Sequence, residues 1–152
     1  MSTPAPFGGD VLIADTSVWR RADRLPNEVR QAWLRALDNE QIATTPPIVA
    51  ELLYRAAEVS PAEFRRWDER LRALRRNLIP DRSIWAIAFD AYRELAGGSQ
   101  LLGKSLTDIL VAATATWHGL GVLTYDRDYD QLSALSCMNF DSRWIVPAGS
   151  VP

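Results

Sequence analysis

Four acids of this 152-residue chain stand where acids are rarely found. Asp15 closes the run Val11-Leu12-Ile13-Ala14, and Glu51 interrupts Ile48-Val49-Ala50 and Leu52-Leu53. Asp108 opens Ile109-Leu110-Val111-Ala112-Ala113, and Asp126 follows Val122-Leu123-Thr124-Tyr125. Carboxylates are almost never fully buried unless they are paired or coordinated. Two bare carboxylates ~4 Å apart repel by about 4 kcal/mol at an effective dielectric near 20. A cluster of them therefore takes up protons, recruits an arginine or binds a cation. Oxygen-only ligands with access to water suit Mg2+ or Mn2+. Such ions serve in-line attack on a phosphodiester.

Each acid also has an ordinary structural reading. Asp15 is placed to cap the following helix, and Asp108 to pair with Ser105 in a capping box. Asp126 is a turn former. Glu51 fits the solvent face of its helix. What favours chemistry is that all four fall on one edge of the expected fold.

That edge follows from the elements. Val11–Ala14 reads as a buried strand, and Pro26–Leu37 as an amphipathic helix. Ile42–Thr44 is a second short strand. Thr45-Pro46 starts a helix running to about Glu58. Ser60-Pro61 starts another, with Phe64, Trp67, Leu71 and Leu74 on one face. Leu78-Ile79 reads as a third strand. Asp81 caps a helix that stops at Gly97-Gly98. Ser105 or Thr107 opens a helix, apolar nearly all round, that ends at Gly119. Val122–Thr124 is a strand, and Trp144–Val146 a last edge strand. Strands alternating with helices predict an α/β fold: a central, mostly parallel sheet covered on both faces. In such a sheet the carboxyl ends of the strands form the ligand crevice. Asp15 and Asp126 follow strands, and Asp108 and Glu51 lie near helix starts facing the same side.

Composition bounds the rest. Apolar residues make up 47% of the chain and charged residues 24%, an ordinary globular balance. The net charge of −2 argues against a module that holds nucleic acid through phosphate contacts alone. One cysteine, Cys137, excludes an intrachain disulfide and fits a reducing, cytoplasmic setting. No stretch reads as a membrane span. Residues 1–9 read as a flexible tail, 10–147 as one domain and 148–152 as a second tail.

At the four acids the chain resembles the PIN-domain ribonucleases, and within them the VapC toxins of bacterial toxin–antitoxin pairs. The matching pieces are Leu12-Ile13-Ala14-Asp15-Thr16-Ser17, Ile48-Val49-Ala50-Glu51-Leu52, Thr107 to Ala115, and Leu123-Thr124-Tyr125-Asp126-Arg127-Asp128-Tyr129. Their order and spacing fit from about Val11 to Val146. The resemblance implies a PIN-like three-layer sandwich and Mg2+- or Mn2+-dependent endoribonuclease activity. It also implies a homodimer and a cognate antitoxin. By motif position, Asp15 and Asp108 are the main metal ligands, and Asp126 is a ligand or holds water at the ion. Glu51 binds a second ion or orients the attacking water. Thr16 is expected to supply a supporting hydroxyl. Asp128 and Asp130 are expected to be peripheral. Tyr129 stands where Phe is commoner in the family.

Three other features invite a function and are read more plainly. Arg65, Arg66, Arg70, Arg72, Arg75 and Arg76 form a solvated face paired with Glu63, Asp68 and Glu69. Lys104, the only lysine, reads as a solvated loop residue. His118 sits at a helix end, where a cation suits the dipole. Two other functions are weighed. A PIN-like binding or scaffold protein without catalysis is expected to have lost acids, and all four are present. A haloacid-dehalogenase-type phosphatase needs a second Asp two residues after the first, where this chain has Ser17.

Overall fold

The apolar run before Asp15 forms β1 (Leu12–Ala14), all of it buried, as expected of a strand covered on both faces. The computed structural model describes residues 7–98 and 103–152. Residues 1–6 of the expected tail lie outside them. β2 is Ile42–Ala43, β3 Gly121–Thr124 and β4 Ser142–Trp144. The helices are α1 (Thr16–Arg21), α2 (Asn27–Asp38), α3 (Pro46–Val59), α4 (Pro61–Arg72), α5 (Arg82–Gly97), α6 (Leu106–His118) and α7 (Asp128–Ser133). A short 3-10 turn, Ala22–Arg24, links α1 to α2.

The four strands pair in the order β2-β1-β3-β4, every pair parallel. This is the expected α/β fold, a central parallel sheet flanked by helices. Because β1 lies between β2 and β3, successive crossovers leave it in opposite directions. The crevice of such a sheet opens at this switch point, past the carboxyl ends of β1 and β3. Asp15 and Asp126 follow those two strands. Gly121 suits the register. It sits opposite Leu12, and a Cβ there would lie 2.9 Å from Leu12 Cδ2.

Three expectations change. Leu78-Ile79 is not a strand; its neighbour Asn77 makes only an isolated parallel bridge to Thr44. Thr44 N–H donates to Arg76 O and Leu78 N–H to Thr44 O, both at 2.8 Å. Pro80 follows at once and has no N–H to carry the ladder on. The last strand lies two residues earlier than expected, at Ser142–Trp144. Two six-residue helices, α1 and α7, were not visible in the periodicity.

α6 is the central helix, with Ile109 to Ala115 all buried. Ser105 Oγ accepts from Asp108 N–H at its start, and Gly119 ends it in the left-handed region at φ +66. Trp19, Trp33 and Trp67 pack edge to face between α1, α2 and α4. Trp117, by contrast, is exposed. Phe7 and Val151, from the two expected tails, are both buried. On the arginine-rich face Arg66 pairs with Glu63 and Arg72 with Asp68 as expected, whereas Arg75 pairs with Glu40 and Arg70 lies over the rings of Trp67 and Trp19. Among the described residues no helix is long and apolar enough to cross a membrane.

Candidate active site

Asp15 is the most deeply placed of the four acids, 2% exposed. Its Oδ1 accepts from Ser17 Oγ at 2.5 Å and from Val18 N–H at 3.2 Å, which caps α1. Its Oδ2 accepts from Thr124 Oγ1 at 2.9 Å. The same Thr124 hydroxyl accepts from Asp126 N–H at 2.9 Å, so it couples the acids that follow β1 and β3. Ser17 Oγ in turn accepts from Tyr125 N–H at 2.9 Å. The supporting hydroxyls at Asp15 are therefore those of Ser17 and Thr124, not that of Thr16. α1 turns its second residue back toward the capping acid.

Burial pushes the Asp15 carboxyl up to about 7. The hydrogen bonds from Ser17, Thr124 and Val18 oppose that rise, and the charge of Asp108 adds to it. Asp108 also stands above its ordinary value. Burial is again the first cause, bonds from Ser105 and Tyr129 work against it, and the charge of Asp126 raises it further. The charge of Asp108 thus acts on Asp15, and that of Asp126 on Asp108.

Asp108, Asp126 and Asp128 each offer a carboxylate oxygen within 4.8 Å of the others. Asp128, expected to be peripheral, is therefore part of the cluster. The turn after β3 folds back, with Asp126 Oδ1 accepting from Asp128 N–H at 2.9 Å. Asp130 points elsewhere and accepts from Trp144 Nε1 at 3.0 Å. Glu51 keeps different company. It pairs with Arg55 at 3.7 Å and sits close enough to Arg20 to act on its charge. Among the described residues neither Glu51 nor Asp15 falls in the group of three aspartates.

Two further groups complete the site. Tyr129 is fully buried, and its hydroxyl donates to Asp108 Oδ1 at 3.1 Å. Burial and the nearby aspartates push its phenol well above the ordinary value, so it stays a donor. Lys104 is not a solvated loop residue. Its side chain is 5% exposed, and its ammonium meets Asp128 Oδ1 at 2.9 Å and also Gln131 Oε1. Asp128 lies 24 residues further along the chain, so no local pattern announces the pair.

An all-oxygen donor set of clustered carboxylates, beside a buried acid raised by its surroundings, fits a hard divalent cation. A hollow of about 240 Å3 is lined by Arg20, Arg24, Arg55 and Glu63 with Leu52, Val59 and Trp67 among its apolar residues; the clustered aspartates are not part of its wall. A larger hollow of about 560 Å3, lined by Val11, Gly121 and Arg143, lies at the amino ends of β1 and β3, away from the carboxylates.

Comparison with known proteins gives a consistent result. Residues 12–135 match the PIN domain. The chain is 33% identical over 144 residues to Ribonuclease VapC18 of Mycobacterium tuberculosis, covering 93% of this chain and 99% of that protein. Its fold is similar to the crystal structure of FitAcB from Neisseria gonorrhoeae (TM-score 0.65, 26% identity, 82% of this chain and 94% of that chain). It is also similar in fold to DNA-bound VapBC from Salmonella typhimurium (TM-score 0.71, 18% identity, 90% of this chain and 99% of that chain).

Proposed function

This chain belongs to the PIN-domain family, and we propose that it is a VapC-type endoribonuclease, the toxin of a toxin–antitoxin pair, that hydrolyses RNA phosphodiesters at its carboxylate cluster with a divalent cation. Residues 10–147 form the nuclease domain in this reading. The observation that supports it is that Asp15 and Asp126 follow the adjacent strands β1 and β3 and share the Thr124 hydroxyl, with the charge of Asp108 acting on Asp15, in a chain 33% identical to a ribonuclease over nearly its whole length.

Asp15, Asp108 and Asp126 are the proposed metal-holding acids, joined by Asp128. Mg2+ is the proposed ion, with Mn2+ as a substitute. Bound there, the cation would activate water and offset charge on the phosphate oxygens. The chain's own residues do the rest. Asp15 is held by three donors in one orientation. Thr124 fixes the distance between the two strand ends. Glu51, set apart toward Arg55 and Arg20, orients the attacking water or serves a second ion. Arg20, Arg24 and Arg55, which line one hollow together with Glu63, offer positive charge to RNA phosphates. The partners in this reading are RNA, a cognate antitoxin and a second copy of the chain, and the setting is the cytoplasm.

The test is cleavage of a mixed RNA pool by purified protein, followed by gel. We expect cleavage with Mn2+ or Mg2+, none with excess chelator, and at least about 100-fold less with Asp108→Asn. Undiminished cleavage by the folded Asp108→Asn protein would falsify the assignment.

A further inference from the structure

The three clustered aspartates share a detail that their acidity does not require. Each has one oxygen already engaged by an internal donor. Tyr129 Oη–H reaches Asp108 Oδ1 at 3.1 Å, Asp128 N–H reaches Asp126 Oδ1 at 2.9 Å, and Lys104 Nζ reaches Asp128 Oδ1 at 2.9 Å. Two of these bonds are reciprocal. Lys104, just before α6, donates to an acid on α7, and Tyr129, on α7, donates to an acid on α6. The starts of the two helices are thereby braced against each other. Both donors are well shielded: Tyr129 is fully buried and the Lys104 side chain is 5% exposed.

We propose that Lys104 and Tyr129 set the ion selectivity of the site by each holding one oxygen of Asp128 and Asp108 in a fixed direction. Chelation through both oxygens of either acid would have to share an oxygen with its internal donor or displace that donor. Ca2+ takes six to eight oxygens and readily accepts carboxylates through both. Mg2+, and Mn2+ with it, takes six in near-octahedral array and uses a carboxylate through one oxygen. The brace thus disfavours the larger ion while leaving the smaller a suitable ligand set. Lys104 and Tyr129 are positioning residues in this account, acting through the acids they hold. The proposal rests on the cation-dependent reading given above.

The experiment is calorimetric titration of the full chain with Mn2+ and, separately, with Ca2+. The proteins are wild type, Tyr129→Phe, Lys104→Met and the double variant, with circular dichroism to confirm folding. Wild type is expected to bind Mn2+ more tightly than Ca2+. Each single change is expected to narrow that ratio about threefold, and the double change about tenfold, chiefly by tightening Ca2+. Tyr129→Phe removes one oxygen atom from a buried ring, so it reports even where Lys104→Met does not fold. An unchanged ratio in folded Tyr129→Phe overturns the proposal. So does an equal loss of affinity for both ions, which is what simple loosening of the site produces. A wild-type protein that binds neither ion removes the cation reading itself, and this inference with it. Wild type binding Mn2+ while the variants keep its selectivity removes this inference alone.

Discussion

Asp15→Asn is expected to abolish RNA cleavage, at least about 1000-fold, while making the cation-free protein more stable at pH 8. The two effects have one cause. The carboxyl of Asp15 stands at about 7 in the fold, chiefly because it is buried, against an ordinary value of 3.8. A raised carboxyl keeps its proton in the folded state at pH values where the unfolded chain has lost it. Between about pH 4 and 7 the folded state therefore binds more protons, and stability falls as pH rises. Above pH 7 the penalty is complete, on the order of 4 kcal/mol for a shift of this size. Asn has no charge to lose, so the variant escapes it. Thermal unfolding without divalent ions should show Asp15→Asn melting several degrees above wild type at pH 8, with the gap closing toward pH 4. Mn2+ affinity of wild type should weaken as pH drops below 7, as protons compete for Asp15, by up to about tenfold per unit. A variant no more stable than wild type at pH 8 would show that Asp15 carries no such strain.

Thr124→Val should be the next most damaging change. Val matches the shape of Thr and suits a strand, so the sheet itself is spared. What disappears is a hydroxyl that donates to Asp15 Oδ2 and accepts from Asp126 N–H, both at 2.9 Å, in a residue with no exposed surface. Both partners are left short of a bond. The expected cost is about 2–4 kcal/mol in urea unfolding, since unmade bonds to buried and charged groups are the expensive ones. Losing a donor that lowers the Asp15 carboxyl also raises it further, so the acid limb of the rate profile moves to higher pH. Thr124→Ser keeps the hydroxyl and should recover most of the activity. Equal damage from Val and Ser would assign the effect to packing instead.

Some of this site was legible in the sequence because apolar runs are legible. An acid directly after a buried strand has few places to go, and a parallel sheet gathers such acids at one end. Asp15 and Asp126 were found that way, and Asp108 by its position in the first turn of an apolar helix. The ordinary structural readings of these acids were also correct. Asp15 caps α1, Asp108 N–H bonds to Ser105, and Asp126 closes a turn. A carboxylate has two oxygens, so a structural bond on one does not exclude chemistry at the other. The missing parts lacked local signals. α1 and α7 are six residues each, too short for an apolar period to repeat. Asp128 joins the cluster through a turn rather than through its distance from a strand. Lys104 finds its partner across a fold boundary, and a polar loop sequence reads as solvated whether or not it is.

The placement of Lys104 has a practical consequence. It is the chain's only lysine, and its side chain is almost wholly shielded. A protease that cuts only after lysine therefore meets one susceptible bond, which becomes available on an opening that frees the Lys104 side chain from Asp128 and Gln131. Its cutting rate should read how often that opening occurs, provided reclosure is faster than cutting. Divalent ions that bind the closed form should slow the cut in proportion to their occupancy. One band becoming two on a gel would then measure the motions of the site without RNA and without turnover.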